Sequence, residues 1–201
     1  MKSLKEYIHE VSLTEGLLDR VKNKEVSHDA IIKEFLEENY NINGSYTIKE
    51  KGNEFIVNVK GNVVVKNENI TSLTNEFFEF GLISGDFYCY YCRYLTSLKG
   101  APKEVKGSFD CSECNSLKSL EGAPKEVGGN FYCNECKSLK SLKGAPEKVR
   151  WAFDCNNCKS LKSLKGAPKE VGDSFYCVNC GTQFTEDDVK KYTTVAGAIL
   201  V

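Results

Sequence analysis

Several residue types with catalytic roles are scarce in this chain of 201 residues, which contains two His, one Trp and one Met. Both histidines, His9 and His28, lie near the N-terminus. We recognise no glycine-rich phosphate-binding loop and no Ser/His/Asp arrangement. Carboxylates in the second half recur as a pattern and form no singular acid–base pair. The sequence therefore predicts a protein that is not an enzyme and that needs no cofactor.

Long apolar runs are also missing. The chain has no run of about 18 or more apolar residues, which a transmembrane helix would require. The first residues, Met1–Val11, break their apolar positions with charges and lack the continuous apolar centre of a secretory signal. A net charge of −1 gives no overall attraction to nucleic acid or to an anionic membrane. We therefore expect a cytoplasmic protein with a protein partner, and neither a membrane nor a nucleic-acid partner.

The cysteines, by contrast, follow a strict repeat with a constant step. The first cysteine of each unit is Cys89, Cys111, Cys133, Cys155 or Cys177, and the second is Cys92, Cys114, Cys136, Cys158 or Cys180. The shared pattern is Phe-x-Cys-x-x-Cys-x-x-Leu-x-x-Leu-x-Gly-Ala-Pro-x-x-Val, which the fifth copy leaves after Cys180. A degenerate first unit has Asn67 in place of the second cysteine. The step falls within the roughly 20–29 residues of one leucine-rich repeat, so the pattern predicts a leucine-rich-repeat-like solenoid.

The flanking segments predict caps for this solenoid, which has about six units of 22–25 residues with a parallel β-sheet, in an α+β fold. Residues 1–26 form an amphipathic segment that could be a linker. Residues 27–60 are expected to contain a helix from about Asp29 to Tyr40, with Ser27 as N-cap, a turn at Asn41–Gly44, and a β-hairpin. The solenoid covers residues 61–184, and residues 185–201 add a helix and a strand as C-terminal cap.

The ten cysteines have two readings. In the first, Phe131 and Cys133 point inward from a strand and Cys136 turns back into the core, so that the thiols stack in columns. In the second, Cys89, Cys92, Cys111 and Cys114 bind zinc, since the interval between the two pairs falls in the range of about 15–20 residues typical of four-cysteine sites. The odd number of pairs and Asn67 favour the structural reading, because asparagine is a poor zinc ligand. Reactive thiols are a third alternative.

The side chains that point out from the sheet are the candidate partner-binding residues. We expect them to line the open, concave side of the solenoid and to favour recognition, because tyrosine with small polar residues is typical of binding surfaces. A solvated sheet face with no partner is the alternative. The candidates are Tyr88, Tyr90, Asp110, Asn130, Tyr132, Asn134, Trp151, Asp154, Asn156 and Tyr176.

Lysines recur along the segment that follows each second cysteine. Lys137, Lys140 and Lys143 are repeated as Lys159, Lys162 and Lys165. A phosphate-binding stripe is one interpretation. A solvated outer face is the preferred one, because glutamates interleave with the lysines in the sequence, at Glu121, Glu126, Glu147 and Glu170.

Residues 61–201, with Phe-x-Cys and Ser-Leu-x-Gly-Ala-Pro-x-x-Val units, resemble leucine-rich-repeat-like proteins of tailed phages and prophages. The resemblance implies a solenoid in the cytoplasm of a bacterial host. The N-terminus, with Met1, Lys2, Glu6, Tyr7, Ile8 and Glu10, resembles the capsid-targeting peptides of internal head proteins in large tailed phages. That second resemblance implies an alternative function as a virion-packaged cargo protein, cleaved after Glu15 in the sequence Leu13-Thr-Glu-Gly16.

Overall fold

The computed structural model describes residues 27–52 and 54–201, so the predicted N-terminal segment and the processing site at Leu13, Glu15 and Gly16 lie outside the described residues. Helix α1 (His28–Asn39) begins after Ser27, whose hydroxyl accepts a hydrogen bond from the Ala30 N–H at 3.3 Å. The helix buries one apolar face, formed by Ile31, Ile32, Phe35 and Leu36. The predicted N-cap and apolar stripe are confirmed.

A long antiparallel hairpin follows the helix. Strand β1 (Tyr40–Lys51) pairs along its whole length with β2 (Glu54–Val65). The predicted hairpin is confirmed, but the predicted turn at Asn41–Gly44 is wrong, because these residues pair with β2 inside the strand. Gly44 lies opposite Gly61, and each has a φ near 140° that suits glycine.

Strand β2 starts two parallel ladders of short strands. Its C-terminal half pairs with the first ladder and its N-terminal half pairs with the second. The first ladder continues as β4 (Phe87–Tyr88), β6 (Phe109–Asp110), β8 (Phe131–Tyr132), β10 (Phe153–Asp154), β12 (Phe175–Tyr176) and β14 (Ile199–Leu200). The second continues as β3 (Glu79–Ile83), β5 (Glu104–Val105), β7 (Glu126–Val127), β9 (Lys148–Val149), β11 (Glu170–Val171) and β13 (Thr194–Val195).

Each regular turn of the solenoid therefore contains two short strands. A corner separates the second-ladder strand from the first-ladder strand, and the two cysteines and the leucines form the rest of the turn. The predicted solenoid with a parallel sheet is confirmed. The second-ladder strand at the end of each Pro-x-x-Val segment was not predicted, because it is only two residues long, as Glu126–Val127 illustrates.

The core is built of columns of identical side chains. Phenylalanine rings stack from turn to turn with centroids 5.2–5.4 Å apart, in the order Phe87, Phe109, Phe131, Phe153 and Phe175. Leucine, valine and cysteine columns complete the interior and are almost fully buried. Burying one such phenylalanine contributes about 1.5–3 kcal/mol by transfer from water.

The C-terminal end has the predicted helix and strand. Helix α2 (Glu186–Lys190) begins at Thr185 with a capping box, in which the Thr185 hydroxyl accepts from the Asp188 N–H and the Asp188 carboxylate accepts from the Thr185 N–H. Strands β13 and β14 then pair with β11 and β12. Among the described residues, no helix has the length and apolar character needed to cross a membrane.

Candidate protein-binding surface

Five predicted binding residues form one column on the outer side of the first ladder, which we call the Tyr–Asp column. It consists of Tyr88, Asp110, Tyr132, Asp154 and Tyr176 in direct strand register. Neighbouring members are separated by one strand spacing, about 4.8 Å. The phenylalanine that precedes each of them is buried, while the column is partly exposed. The predicted alternation of inward and outward residues is confirmed.

The alternation of phenols and carboxylates along this column shifts their pKa values. Burial raises the pKa of Tyr88 to about 12, helped by its hydrogen bond of 2.8 Å to the Asp86 carboxylate. Burial and the charges of Asp110 and Asp154 raise the pKa of Tyr132. The raised pKa values keep the phenols of Tyr88 and Tyr132 neutral at physiological pH.

The two aspartates also stabilise the turn that follows them. The Asp110 carboxylate accepts hydrogen bonds from the Ser112 N–H at 2.8 Å and hydroxyl at 2.6 Å. The Asp154 carboxylate accepts from the Asn156 N–H at 2.8 Å. Burial raises the pKa of Asp154, and the Asn156 N–H opposes that shift. Replacing either aspartate with alanine would therefore disturb the turn as well as the surface.

Two predicted binding residues instead connect neighbouring turns. The Asn130 side-chain oxygen accepts from the Ala152 N–H at 2.9 Å, and the Asn156 side-chain oxygen accepts from the Val178 N–H at 2.7 Å. The Asn130 contact continues a polar ladder from the preceding turns. In that ladder the Asp86 carboxylate accepts from the Ser108 N–H at 2.6 Å, and the Ser108 hydroxyl accepts from the Asn130 N–H at 3.1 Å. These asparagines have a sufficient structural explanation in the solenoid. Asn134 is half-buried beside the Tyr–Asp column.

The most irregular part of this surface is a group of four tyrosines in the first turn with two cysteines, which we call the tyrosine cluster: Tyr88, Tyr90, Tyr91 and Tyr94. Three of them are large exposed aromatics, with 41%, 38% and 58% of the surface of Tyr90, Tyr91 and Tyr94 accessible. The rings of Tyr88, Tyr90 and Tyr91 contact edge to face at 6.1 and 5.6 Å.

Sequence reasoning identified Tyr88 and Tyr90 and missed Tyr91 and Tyr94. A column-by-column comparison of the turns would have found them. The place of Tyr91 is taken by Glu113, Glu135, Asn157 and Asn179 in later turns, and the place of Tyr94 by Ser116, Ser138, Ser160 and Thr182. The cluster is therefore a local departure from the repeat, confined to one turn.

Tyr91 has a strained backbone. Its φ of 60° lies in the left-handed region, as do the φ values of 57–60° in the rest of its column. Asparagine tolerates this conformation, whereas a bulky aromatic residue there is an outlier. A hydrogen bond to the Glu113 carboxylate raises the pKa of Tyr91. Strained residues of this kind cluster at functional sites.

Trp151, the single tryptophan, lies at a corner between the two ladders and is 56% exposed. The backbone N–H of Trp151 donates to the Gly129 oxygen at 3.2 Å, and the backbone oxygen of Trp151 accepts from the Asp173 N–H at 3.2 Å. The corresponding hydrogen bonds at glycine corners, between Gly85 and Gly107 or Gly107 and Gly129, are 3.0 and 2.8 Å. The bulky residue is therefore accommodated by a wider spacing, with its indole facing solvent. Its role in partner binding stays a prediction.

The cysteines occupy the two predicted buried places. The first thiols, such as Cys111 and Cys133, lie beneath the first ladder. The second thiols from Cys114 onward donate to the backbone oxygen of the first cysteine one turn earlier, and Cys92 donates to the Asn67 oxygen at 4.0 Å. The distances to the first-cysteine oxygens are 3.2 Å for Cys114, Cys136 and Cys158 and 3.3 Å for Cys180. Burial raises the pKa of Cys111, Cys133 and Cys155 well above the ordinary thiol value. This matches the core-and-ladder interpretation.

The zinc alternative for Cys89, Cys92, Cys111 and Cys114 stays a hypothesis. In the described part of the chain, no three His, Cys, Asp or Glu residues are grouped closely enough to hold a metal ion. All ten thiols are free of disulfides. A metal would need deprotonated thiolates, whereas the pKa values of Cys89, Cys92 and Cys111 are raised, which favours the protonated form of these three thiols.

We expect elemental analysis of protein purified without added metal to find far less than one zinc per chain. The physical reason is the energetic cost of ionising buried thiols, as shown by the raised pKa of Cys92 (about 12) and Cys111. A zinc content near one or two per chain that survives dialysis would contradict this expectation and support the four-cysteine site.

The structure thus defines the class of the protein, a parallel β-solenoid with helical and hairpin caps. Comparisons with family models, with curated proteins and with solved structures found no match.

Proposed function

We propose that this protein is a non-enzymatic recognition module that binds a protein partner through the tyrosine cluster and the adjoining Tyr–Asp column. The observation that carries the proposal is the presence, in one turn only, of exposed tyrosines at positions 90, 91 and 94, where the other turns have non-aromatic and mostly polar residues. Tyrosine supplies large contact area and a hydrogen-bonding hydroxyl at low conformational-entropy cost. Aromatic anchors of this type dominate the binding energy of protein interfaces.

The strain at Tyr91 supports the same proposal. Left-handed backbone costs an L-residue other than glycine or asparagine roughly 1–2 kcal/mol. Every turn has left-handed backbone at this place, which holds Glu113 and Glu135 in two turns and the better-suited asparagine, Asn157 and Asn179, in two others. A bulky residue kept at a strained position, with its ring exposed, is favoured by a binding role over a packing role.

The test is a triple variant, Tyr90→Ser, Tyr91→Asn and Tyr94→Ser, which gives this turn residues that stand at the same places in other turns: Ser112, Asn157 and Ser116. We expect the fold to be kept, with stability unchanged or raised by about 1 kcal/mol, because strain is removed at Tyr91. Capture of the partner should fall at least tenfold. Tagged chain would be used to isolate partners from the cells that produce it, followed by titration of the purified partner.

A matched control is Tyr192→Ser, which removes another exposed tyrosine, 44% accessible, just after α2 at the C-terminal cap. We expect this variant to bind the partner like the wild-type chain. Equal capture by the triple variant, or an equal loss in both variants, would disprove the proposed surface.

A further inference from the structure

A second surface emerges where the leucine-containing segments of successive turns lie side by side. In each segment the leucines point inward and every third residue points outward, as for Lys137 and Lys140 around buried Leu139. We call the six exposed lysines of this surface the basic face: Lys118, Lys137, Lys140, Lys159, Lys162 and Lys165. Three of them stand directly above one another, since the Lys140 N–H donates to the Lys118 oxygen and the Lys162 N–H to the Lys140 oxygen, at 3.2 and 3.4 Å.

The glutamates that interleave with these lysines in the sequence lie mostly elsewhere in space. Glu126 and Glu170 are in strands of the second ladder, where both are paired in register with Lys148. Glu147 forms an ion pair with Lys169 at 2.6 Å beside the same ladder. Only Glu121 shares the leucine-containing segments, and it is paired with Lys143 at 2.6 Å. The interleaving of lysines and glutamates in the sequence therefore does not carry over into space, although the lysines are exposed to solvent, as the preferred interpretation expects.

The charges of the basic face are available to a partner. Among the described residues, none of the six lysines forms an ion pair. Glu113 and Glu135 lie between the two cysteines of their turns, just before the lysine segments begin, and form the acidic border of the face. Overall net charge of −1 therefore hides a concentrated positive field on one side of the solenoid.

The chemistry of the face suits a phosphate backbone. Lysine binds phosphate as a compact point charge, and none of the six residues is an arginine, whose planar fork would hold one anion in a defined geometry. The residues between the six lysines, such as Ser138, Ser141 and Ser160, are small, and the exposed aromatic side chain of the same column, Tyr94, belongs to an earlier turn outside the basic face. Within the face there is therefore no aromatic platform for single-stranded bases. The small residues also provide no apolar side chain to insert into a lipid surface.

The spacing of the face is regular in both directions. The backbones of lysines in adjacent turns are about 4.8 Å apart along the solenoid. The Cα atoms of lysines three residues apart in one turn are separated by at most about 10 Å. A duplex presents one phosphate charge per roughly 1.7 Å of its axis, so flexible lysine stems on such a grid can reach several phosphates at once. We propose that the basic face binds the phosphate backbone of double-stranded DNA without reading its sequence.

The experiment uses the full chain and a short fluorescein-labelled DNA duplex, with binding followed by fluorescence anisotropy between about 50 and 200 mM salt. We expect binding that weakens steeply with salt. The variant Lys118→Gln, Lys140→Gln and Lys162→Gln should lower affinity at least tenfold at about 100 mM salt. It should also reduce the slope of log affinity against log salt by roughly 3, which corresponds to three lost phosphate contacts.

The matched control is Lys49→Gln, Lys51→Gln and Lys60→Gln, which makes the same change in net charge at exposed positions of the hairpin. It should change affinity less than about twofold, and circular dichroism should show that both variants are folded. Absence of binding at the lowest salt, or equal loss in both variants, would overturn the proposal. Competition by poly-glutamate that is as strong as competition by the duplex itself would overturn the choice of DNA. Anionic vesicles that bind as tightly as the duplex would overturn it as well.

Discussion

The free energy of unfolding should fall steeply as the pH rises above about 9, the ordinary pKa of a thiol. Cys89, Cys111, Cys133 and Cys155 are at most 1% exposed, and their pKa values are raised well above that value, with burial a main cause. The unfolded chain exposes the same thiols to water, where they ionise normally.

The sign follows from proton linkage. Above pH 9 the unfolded state loses protons that the folded state retains, so increasing pH favours unfolding. Each such thiol contributes a slope of about 1.4 kcal/mol per pH unit, and four contribute about 5 kcal/mol per pH unit. A domain with an ordinary stability of roughly 5–15 kcal/mol would lose much of it between pH 9 and 10.5.

Urea unfolding followed by far-ultraviolet circular dichroism, at pH values from 7.5 to 10.5 with a phosphine reductant, measures this slope. The variant Cys133→Ala supplies the control, because it should be less stable at neutral pH yet lose about one quarter of the alkaline slope. Stability that stays constant to pH 10, or a slope that Cys133→Ala leaves unchanged, would contradict the role given to the buried thiols.

The second large effect is expected for Phe131→Ala. The ring of Phe131 is fully buried and stacks against Phe109 at 5.3 Å and Phe153 at 5.4 Å. Its removal leaves a cavity with a stacking partner on either side, and a change of this kind costs about 3–5 kcal/mol. The urea midpoint should fall accordingly, with an unchanged dependence on denaturant if unfolding stays two-state.

Two further variants make this result interpretable. Phe131→Leu keeps most of the volume and should cost less than half as much. Trp151→Ala removes an equally large aromatic residue from an exposed corner and should change stability by no more than about 0.5 kcal/mol. A loss at Phe131 no greater than that at Trp151 would show that the stacked column contributes little to stability.

The interior of the solenoid was predictable because its signals are local and repeated. The step between cysteines sets the turn length, and alternation within Phe131-Tyr132-Cys133 separates the inward residues from Tyr132. Asn67 itself is exposed, and its side-chain oxygen accepts a local hydrogen bond from the Asn69 N–H at 2.9 Å. The ladder of bonds to backbone oxygens is made by later second cysteines such as Cys136. The outward residues at Asn130 and Asn156 could not be told apart from binding residues, because their partners belong to other turns.

The outer surface was harder to predict because neighbours in sequence separate in space. Gly144 has a positive φ and, with Pro146, bends the chain between Lys143 and Glu147, so that lysines and glutamates next to each other in sequence face different sides. The tyrosine cluster has the opposite origin, since Tyr91 and Tyr94 stand out only against the residues at equivalent places in other turns. In a repeat protein, the residues at equivalent places of successive turns must therefore be compared, in addition to the residues that follow one another along the chain.

Strand β2 is the edge at which both ladders start. Its N-terminal half pairs with β3 and its C-terminal half with β4, so the hairpin fixes the register of the first strand in each ladder. Whole turns could be inserted or deleted among the regular units between Cys89 and Cys180, because each contacts only its neighbours. A truncation inside β2 would remove the starting edge of both ladders at once, so the number of turns is adjustable within the regular units and the hairpin is indispensable.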